Sequence, residues 1–153
     1  MTLDDCADYL LFKLTEDDRP LSLLKLQKLS YYVQAWHLAH HRAPMFEGRF
    51  EAWIHGPVNR ALKDRFWSEH SLYGTVTAKS IRREFDPRRL DPEDLAFVDS
   101  VLEAYGGFTG GQLEELTRRE LPWQKARGSR EPTERCETLI DEQTMGDFYR
   151  ERL

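Results

Sequence analysis

Any chemistry in this chain would have to start from its histidines, its two thiols and its glycine pairs. His37, His40 and His41 crowd one short stretch, and the four-residue step from His37 to His41 would put two imidazoles on one helix face, within reach of a shared metal ion. No HExxH and no Cys–His spacing accompanies them. The competing reading is a run of imidazoles that sits well at a helix C-terminus. Cys6 and Cys136 lie far apart with no activating pattern beside them. Gly106-Gly107 and Gly110-Gly111 flank a helix cap and do not follow a strand, so they make no phosphate loop. Arg82, Arg83, Arg88 and Arg89 gather round Pro87 and could touch phosphates, but Glu84, Asp86 and Asp91 dilute their field. The net charge of −5 also disfavours a nucleic-acid partner. No catalytic constellation is assembled. The sequence reads as that of a binding protein, not an enzyme, with no cofactor or metal required.

The element that must position whatever the chain does is Leu21–Arg42. Ser22 can cap it, and no glycine or proline interrupts it before Pro44, so the spacing predicts one helix of about twenty residues, roughly 30 Å long. Leu26, Leu29, Val33, Trp36 and Ala39 form one apolar arc, and Leu24, Tyr31, Ala35 and Leu38 form a second. A helix apolar on two sides is packed on two sides, which makes this one the axle of the fold. Between the arcs runs a polar stripe of Gln27, Ser30, Gln34 and His37. It is either a solvated strip or the polar floor of a concave binding site, flanked by Tyr31 and Tyr32.

Around the axle the boundary signals are frequent. Thr2 starts a helix to Leu14, with Asp4 and Asp5 at its positive end. Phe50–Ile54 predicts a short extended piece. Gly56 supplies a positive φ, and Pro57 stands where a first helical residue belongs, so a helix is expected from Val58 to about His70. Residues 71–90 are expected to be irregular or mobile, with Tyr73–Thr77 a strand or a turn. Asp91-Pro92 opens a helix to about Tyr105, Thr109 with Gln112 boxes another to Arg119, Leu121-Pro122-Trp123 starts a short one ending near Gly128, and Asp141 caps a last one through Arg150. The expected fold is mainly α: a compact single-domain bundle of six or seven helices, residues 1–153, around a central helix, with at most one small β-hairpin.

At 153 residues the chain is long enough for one ordinary core, and 40% apolar with 32% charged residues fits a globular protein with a heavily charged surface. Acidic residues begin at Asp4, which argues against a secretory leader, and two isolated cysteines suit a reducing compartment. No apolar run approaches a membrane span. A cytoplasmic location without membrane contact is expected.

Three ordered blocks carry a family resemblance. KLQKLSYYVQAWHLA (25–39), followed by Pro44 and Phe46, is similar to the opening block of the Panacea domain, which usually reads KLQKLLYYAQGWHLA. Phe50–Val58 resembles its EAWxxGPV block, and Leu116–Arg127 its LTHxExPWxxAR block. The family takes in GepA-like phage-associated proteins and SocA-like proteolytic adaptors. This sequence departs from it in Ser30, often leucine, and in Arg118, where the third block commonly has histidine. The resemblance implies a mostly helical antitoxin that neutralises a cognate protein toxin by direct contact. In the SocA-like branch the toxin is instead delivered to a AAA+ protease. An operator-binding repressor and a metal-dependent hydrolase using His37 and His41 are the rival readings.

For the partner surface, Trp53, His55, Gly56 and Pro57 form either an entry turn packed on the axle or the lining of a groove, and Pro122 with Trp123 either packs inward or walls that groove. As a core anchor, Trp53→Ala should cost about 3–5 kcal/mol. Gln34→Ala should spare the fold and weaken binding if the stripe is a floor. The candidate contacts are therefore Gln27, Ser30, Tyr31, Gln34, His37, Trp53, His55, Gly56, Pro57, Pro122 and Trp123.

Overall fold

The computed structural model of the protein describes residues 1–66 and 71–153. Helix α1 (Leu3–Leu14) leads through a 3-10 turn at Glu16–Asp18 to a two-residue strand β1 (Leu21–Ser22) and the long helix α2 (Leu23–His41). Strands β2 (Glu51–Trp53) and β3 (Gly56–Val58) follow, then α3 (Arg60–Arg65), β4 (Thr75–Val76), and helices α4 (Pro92–Tyr105), α5 (Gly110–Arg118), α6 (Leu121–Arg127) and α7 (Glu142–Arg150). The fold is mainly α, with seven α-helices among the described residues and two small two-stranded sheets.

The caps sit where side-chain chemistry puts them. Thr2 and Asp5 close a reciprocal box on α1, and the Ser22 hydroxyl accepts from the Lys25 amide at 3.1 Å. Asp91 caps α4, Thr109 and Gln112 box α5, and the Asp141 carboxylate takes the Thr144 amide at 2.8 Å. Helix α2 is the axle. Fourteen of its nineteen residues are buried, and it packs against α1, α4, α5, α7 and β3. That burial needs two apolar arcs, and this helix has them.

Helix α3 corrects the expected start at Val58. Pro57 and Val58 are extended, in register with Ala52 and Glu51, and the helix begins at Arg60 with the Asn59 side chain accepting from the Leu62 amide at 2.8 Å. A proline that needs no ladder donor fits a strand as readily as a first helical turn. The predicted continuation to His70 lies partly on residues 67–70, outside the described residues; α3 itself ends at Arg65.

The hairpin β2–β3 turns over Ile54–His55 and is widened on its other edge, where the Ala52 amide donates to the Thr138 carbonyl and the Ile140 amide to the Phe50 carbonyl. A second pairing joins Leu21 to Val76 and Ser22 to Thr75. The stretch from 71 to 90 is irregular, with 3-10 turns at Ala78–Ser80 and Pro87–Arg89. It is also anchored, because buried Asp8 receives both Arg65 and Arg82, the latter at 2.6 Å. Arg82 is thereby withdrawn from the arginine patch, and Arg88 and Arg89 both pair with Asp86. No helix among the described residues is long and apolar enough to cross a membrane.

Candidate partner-binding site

The polar stripe of α2 is neither solvated nor the floor of an open groove. Gln27, Ser30 and Gln34 are at most 2% exposed, and each is satisfied by the chain's own backbone. Gln27 grips both polar atoms of the Asn59 backbone, accepting from its amide at 2.8 Å and donating to its carbonyl at 2.9 Å. Gln34 accepts from the Met45 amide and donates to the Phe46 carbonyl, both at 2.8 Å. The Ser30 hydroxyl bonds back to the Leu26 carbonyl at 2.8 Å. These groups are internal struts, because the loops after α2 fold back over the stripe and supply the partners that water would otherwise be. Loss of Gln34 is therefore expected to lower stability, since it would orphan a buried amide and a buried carbonyl. Tyr31 is 1% exposed, its hydroxyl 3.3 Å from that of Tyr149. His37 sits at the end of the stripe with Nδ1 2.6 Å from the Ala43 carbonyl, and burial lowers its pKa. Its ring packs 4.5 Å from that of His41. Among the described residues no group of three or more His, Cys, Asp or Glu is placed to hold a metal ion.

One residue on this helix carries no site signal in the sequence and yet organises the neighbouring hairpin. Lys28 is fully buried, and its Nζ donates to the Pro57 carbonyl at 2.9 Å. Desolvation pushes its pKa down to about 7, against a smaller opposing pull from Glu114. Gly56 lies against it at φ +87, and a Cβ there would stand 2.7 Å from Thr117 Oγ1 and 2.8 Å from Lys28 Cε. The glycine is needed both for its backbone angle and for the close approach of α2 and α5.

The other side of the hairpin is held from α6. Trp123 Nε1 donates to the Trp53 carbonyl at 2.8 Å, and buried Arg127 donates to the Ala52 carbonyl at 2.9 Å and to the carbonyls of Glu131 and Glu134. Glu120, at the start of α6, accepts from Tyr32 at 2.7 Å and Tyr149 at 2.8 Å. Burial raises the pKa of this carboxyl, and the two phenol donors oppose the rise. The three sequence blocks thus lock into one another: the first to the second through Lys28, and to Asn59 just after it through Gln27, the first to the third through Tyr32 and Glu120, the second to the third through Trp123 and Arg127.

What this lock presents outward is the hairpin turn and its surroundings. Trp53 is half-buried, not a core anchor; Arg60 and Lys63 lie over its ring at 5.3 and 5.7 Å, and its Nε1 donates to Glu51. The cost expected for Trp53→Ala falls accordingly below that of a fully buried tryptophan. His55 Nδ1 is 2.5 Å from the Tyr73 hydroxyl and 3.6 Å from Glu114. Tyr73 is 58% exposed, a large amphipathic ring set edge-on to the His55 ring beside the turn. Gly56, Pro57, Pro122 and Trp123 are buried beneath this face and set its shape. The structure thus brings Trp53 and His55 together at the surface with Tyr73, leaves His37 partly exposed at the end of the stripe, and buries the rest of the predicted set.

A family model described as the antitoxin SocA-like, Panacea domain, matches residues 26–124. The protein Antitoxin SocA of Caulobacter vibrioides (strain NA1000 / CB15N) is 43% identical over 126 residues, which cover 76% of this chain and 65% of that relative. The chain therefore spans just under two thirds of the relative's length. No solved structure matches it.

Proposed function

The chain belongs to the SocA-like Panacea domain family, and from that premise we propose that it is an antitoxin that neutralises a cognate protein toxin by direct, noncovalent binding in the cytoplasm, with no catalysis of its own. The whole of 1–153 acts as one such domain, because α1 and α7, outside the matched segment, both pack on α2. The binding face is the hairpin turn with Trp53 and His55, together with Tyr73 and the outer side of α5 and α6. The observation that carries this reading is the interlocking of the three blocks. Their buried polar groups are used up inside the fold, so the blocks serve as a stiff mount, and a half-buried tryptophan and an exposed tyrosine are left at the rim. Such rings are effective interface anchors, since they bury large area for little lost side-chain freedom.

Co-expression with the product of the adjacent gene tests the proposal. That product alone should arrest growth, this chain should restore it, and the two should co-purify. A harmless neighbour, or arrest that persists with no complex recovered, would refute the reading. Toxin half-life in the same cells separates occlusion from delivery. Simple occlusion leaves the half-life unchanged or longer, whereas delivery to a AAA+ protease shortens it until the protease is removed.

A further inference from the structure

Between α5, α6 and the loop 128–132 lies an open groove of about 330 Å³, lined by Arg118, Arg119, Trp123, Arg127, Arg130 and Pro132 among others. Two of its guanidinium groups stand over the Trp123 ring, Arg127 at 4.8 Å and Arg118 at 5.9 Å from the centroid. Neither forms an ion pair among the described residues. Arg127 spends its donors on backbone carbonyls, which orient the group but leave its full charge in place. The remaining groove arginines do have local carboxylates: Arg119 pairs with Glu115 at 3.1 Å and Arg130 with Glu134 at 3.8 Å. The groove therefore holds two positive charges without a carboxylate partner beside one aromatic ring, in a chain whose net charge is −5.

We propose that this groove docks an acidic segment of the protein partner, with an Asp or Glu carboxylate seated against the Arg118 guanidinium. Arg118 is half-buried and Arg127 is buried and committed, so Arg118 is the one of the two with donors to offer. Its planar fork matches a carboxylate with two parallel hydrogen bonds, and the Trp123 ring 5.9 Å away supplies a cation–π contact on one side. A protein segment suits the groove better than a nucleic acid. Glu115 lines the same groove, and Glu131 and Glu134 lie in and beyond its loop, so the positive field is interrupted and short, whereas a polyanion needs a continuous track. The assignment deepens the antitoxin reading by naming the chemistry of the partner, and it rests on that reading for the partner's being a protein. It also gives a use to the position where this chain carries arginine in a block that commonly has histidine: a permanent charge replaces a titrating one.

The test is fluorescence anisotropy with the full chain and three labelled probes: a decapeptide of alternating Leu and Glu, the same peptide with Gln for Glu, and a single-stranded DNA decamer. The Glu peptide should bind at least tenfold more tightly than the Gln peptide. Arg118→Glu, and Arg118→Gln should the reversal perturb folding by circular dichroism, should abolish that preference. Arg118→Lys should keep part of it, and Arg88→Glu should leave it whole. Equal affinity for the two peptides, a preference that survives in both Arg118 variants, or tighter binding of the DNA overturns the inference. Toxin protection by the same variants separates the two claims. A wild-type chain that protects no cell refutes the antitoxin reading, whereas an Arg118→Glu chain that protects as well as wild type refutes the acidic docking segment alone.

Discussion

Two buried cations flank the β2–β3 hairpin, and they are built differently. Lys28 reaches it from α2 with one hydrogen bond, to the Pro57 carbonyl, and loses so much hydration that its pKa falls to about 7. Arg127 reaches it from α6 and spreads its two terminal nitrogens over the carbonyls of Ala52, Glu131 and Glu134, with that of Pro132 at 3.4 Å. An ammonium can shed its proton when burial becomes too costly; a guanidinium cannot. The Arg127 side is consequently a fixed anchor that also ties down the 131–134 loop, while the Lys28 side is an adjustable contact. The difference places mechanical rigidity under Trp53 and Trp123, next to the face assigned to the partner.

Removing the anchor should have the largest effect. Arg127→Ala would orphan the buried Ala52 carbonyl and free the 131–134 loop, and we expect a loss of about 3 kcal/mol in urea unfolding. A loss under about 1 kcal/mol would mean that the carbonyls find other partners and that the two cations are not so unequal. Gly56→Ala probes the Lys28 side sterically. The φ of +87 and the approach of Lys28 and Thr117 predict a cost of about 2 kcal/mol by the same measurement. Lys28→Met should change stability least at pH 7, because an isosteric apolar chain removes the desolvation penalty while giving up one hydrogen bond.

Its signature is instead in the pH dependence. The folded pKa of Lys28 lies below its unfolded value of 10.5, so between about 7 and 10.5 the unfolded chain binds more protons and stability rises with pH. The wild type should therefore gain on Lys28→Met by up to about 1.4 kcal/mol per pH unit across pH 8–9. Above pH 9 Cys6 acts in the opposite sense, since burial pushes its thiol up to about 12, and the difference between the two proteins isolates the lysine. Parallel pH profiles would show that Lys28 is not desolvated as described.

The same pair shows how far the sequence can be read. Helix boundaries were legible wherever a side chain alone satisfies a free amide, as at Thr2, Ser22, Asp91, Thr109 and Asp141. The axle was legible because a helix with two apolar arcs has one sensible place. Its polar stripe was not, because periodicity separates polar from apolar side chains but cannot tell water from backbone as their partner. Gln27, Lys28 and Gln34 are buried against carbonyls that arrive from residues 12 to 32 positions later. The start of α3 was misplaced for a local reason, since Pro57 fits two conformations and only pairing with Ala52 decides between them. The β1–β4 pairing joins residues more than fifty positions apart, and nothing in either dipeptide announces the other. For the candidate face, the resemblance drew attention to three blocks whose named residues are mostly buried, while the exposed Tyr73 lies outside all three.

The central claim is that the partner binds the hairpin turn and the α5–α6 side while the interlocked blocks beneath stay fixed. Hydrogen exchange of the chain, free and in complex with the co-purified toxin, tests it most directly. Slower exchange should appear at 53–56, around Tyr73 and along 114–124, with α1 and α4 unchanged. Protection confined to α1 and α4, or none anywhere in a stoichiometric complex, would contradict the account.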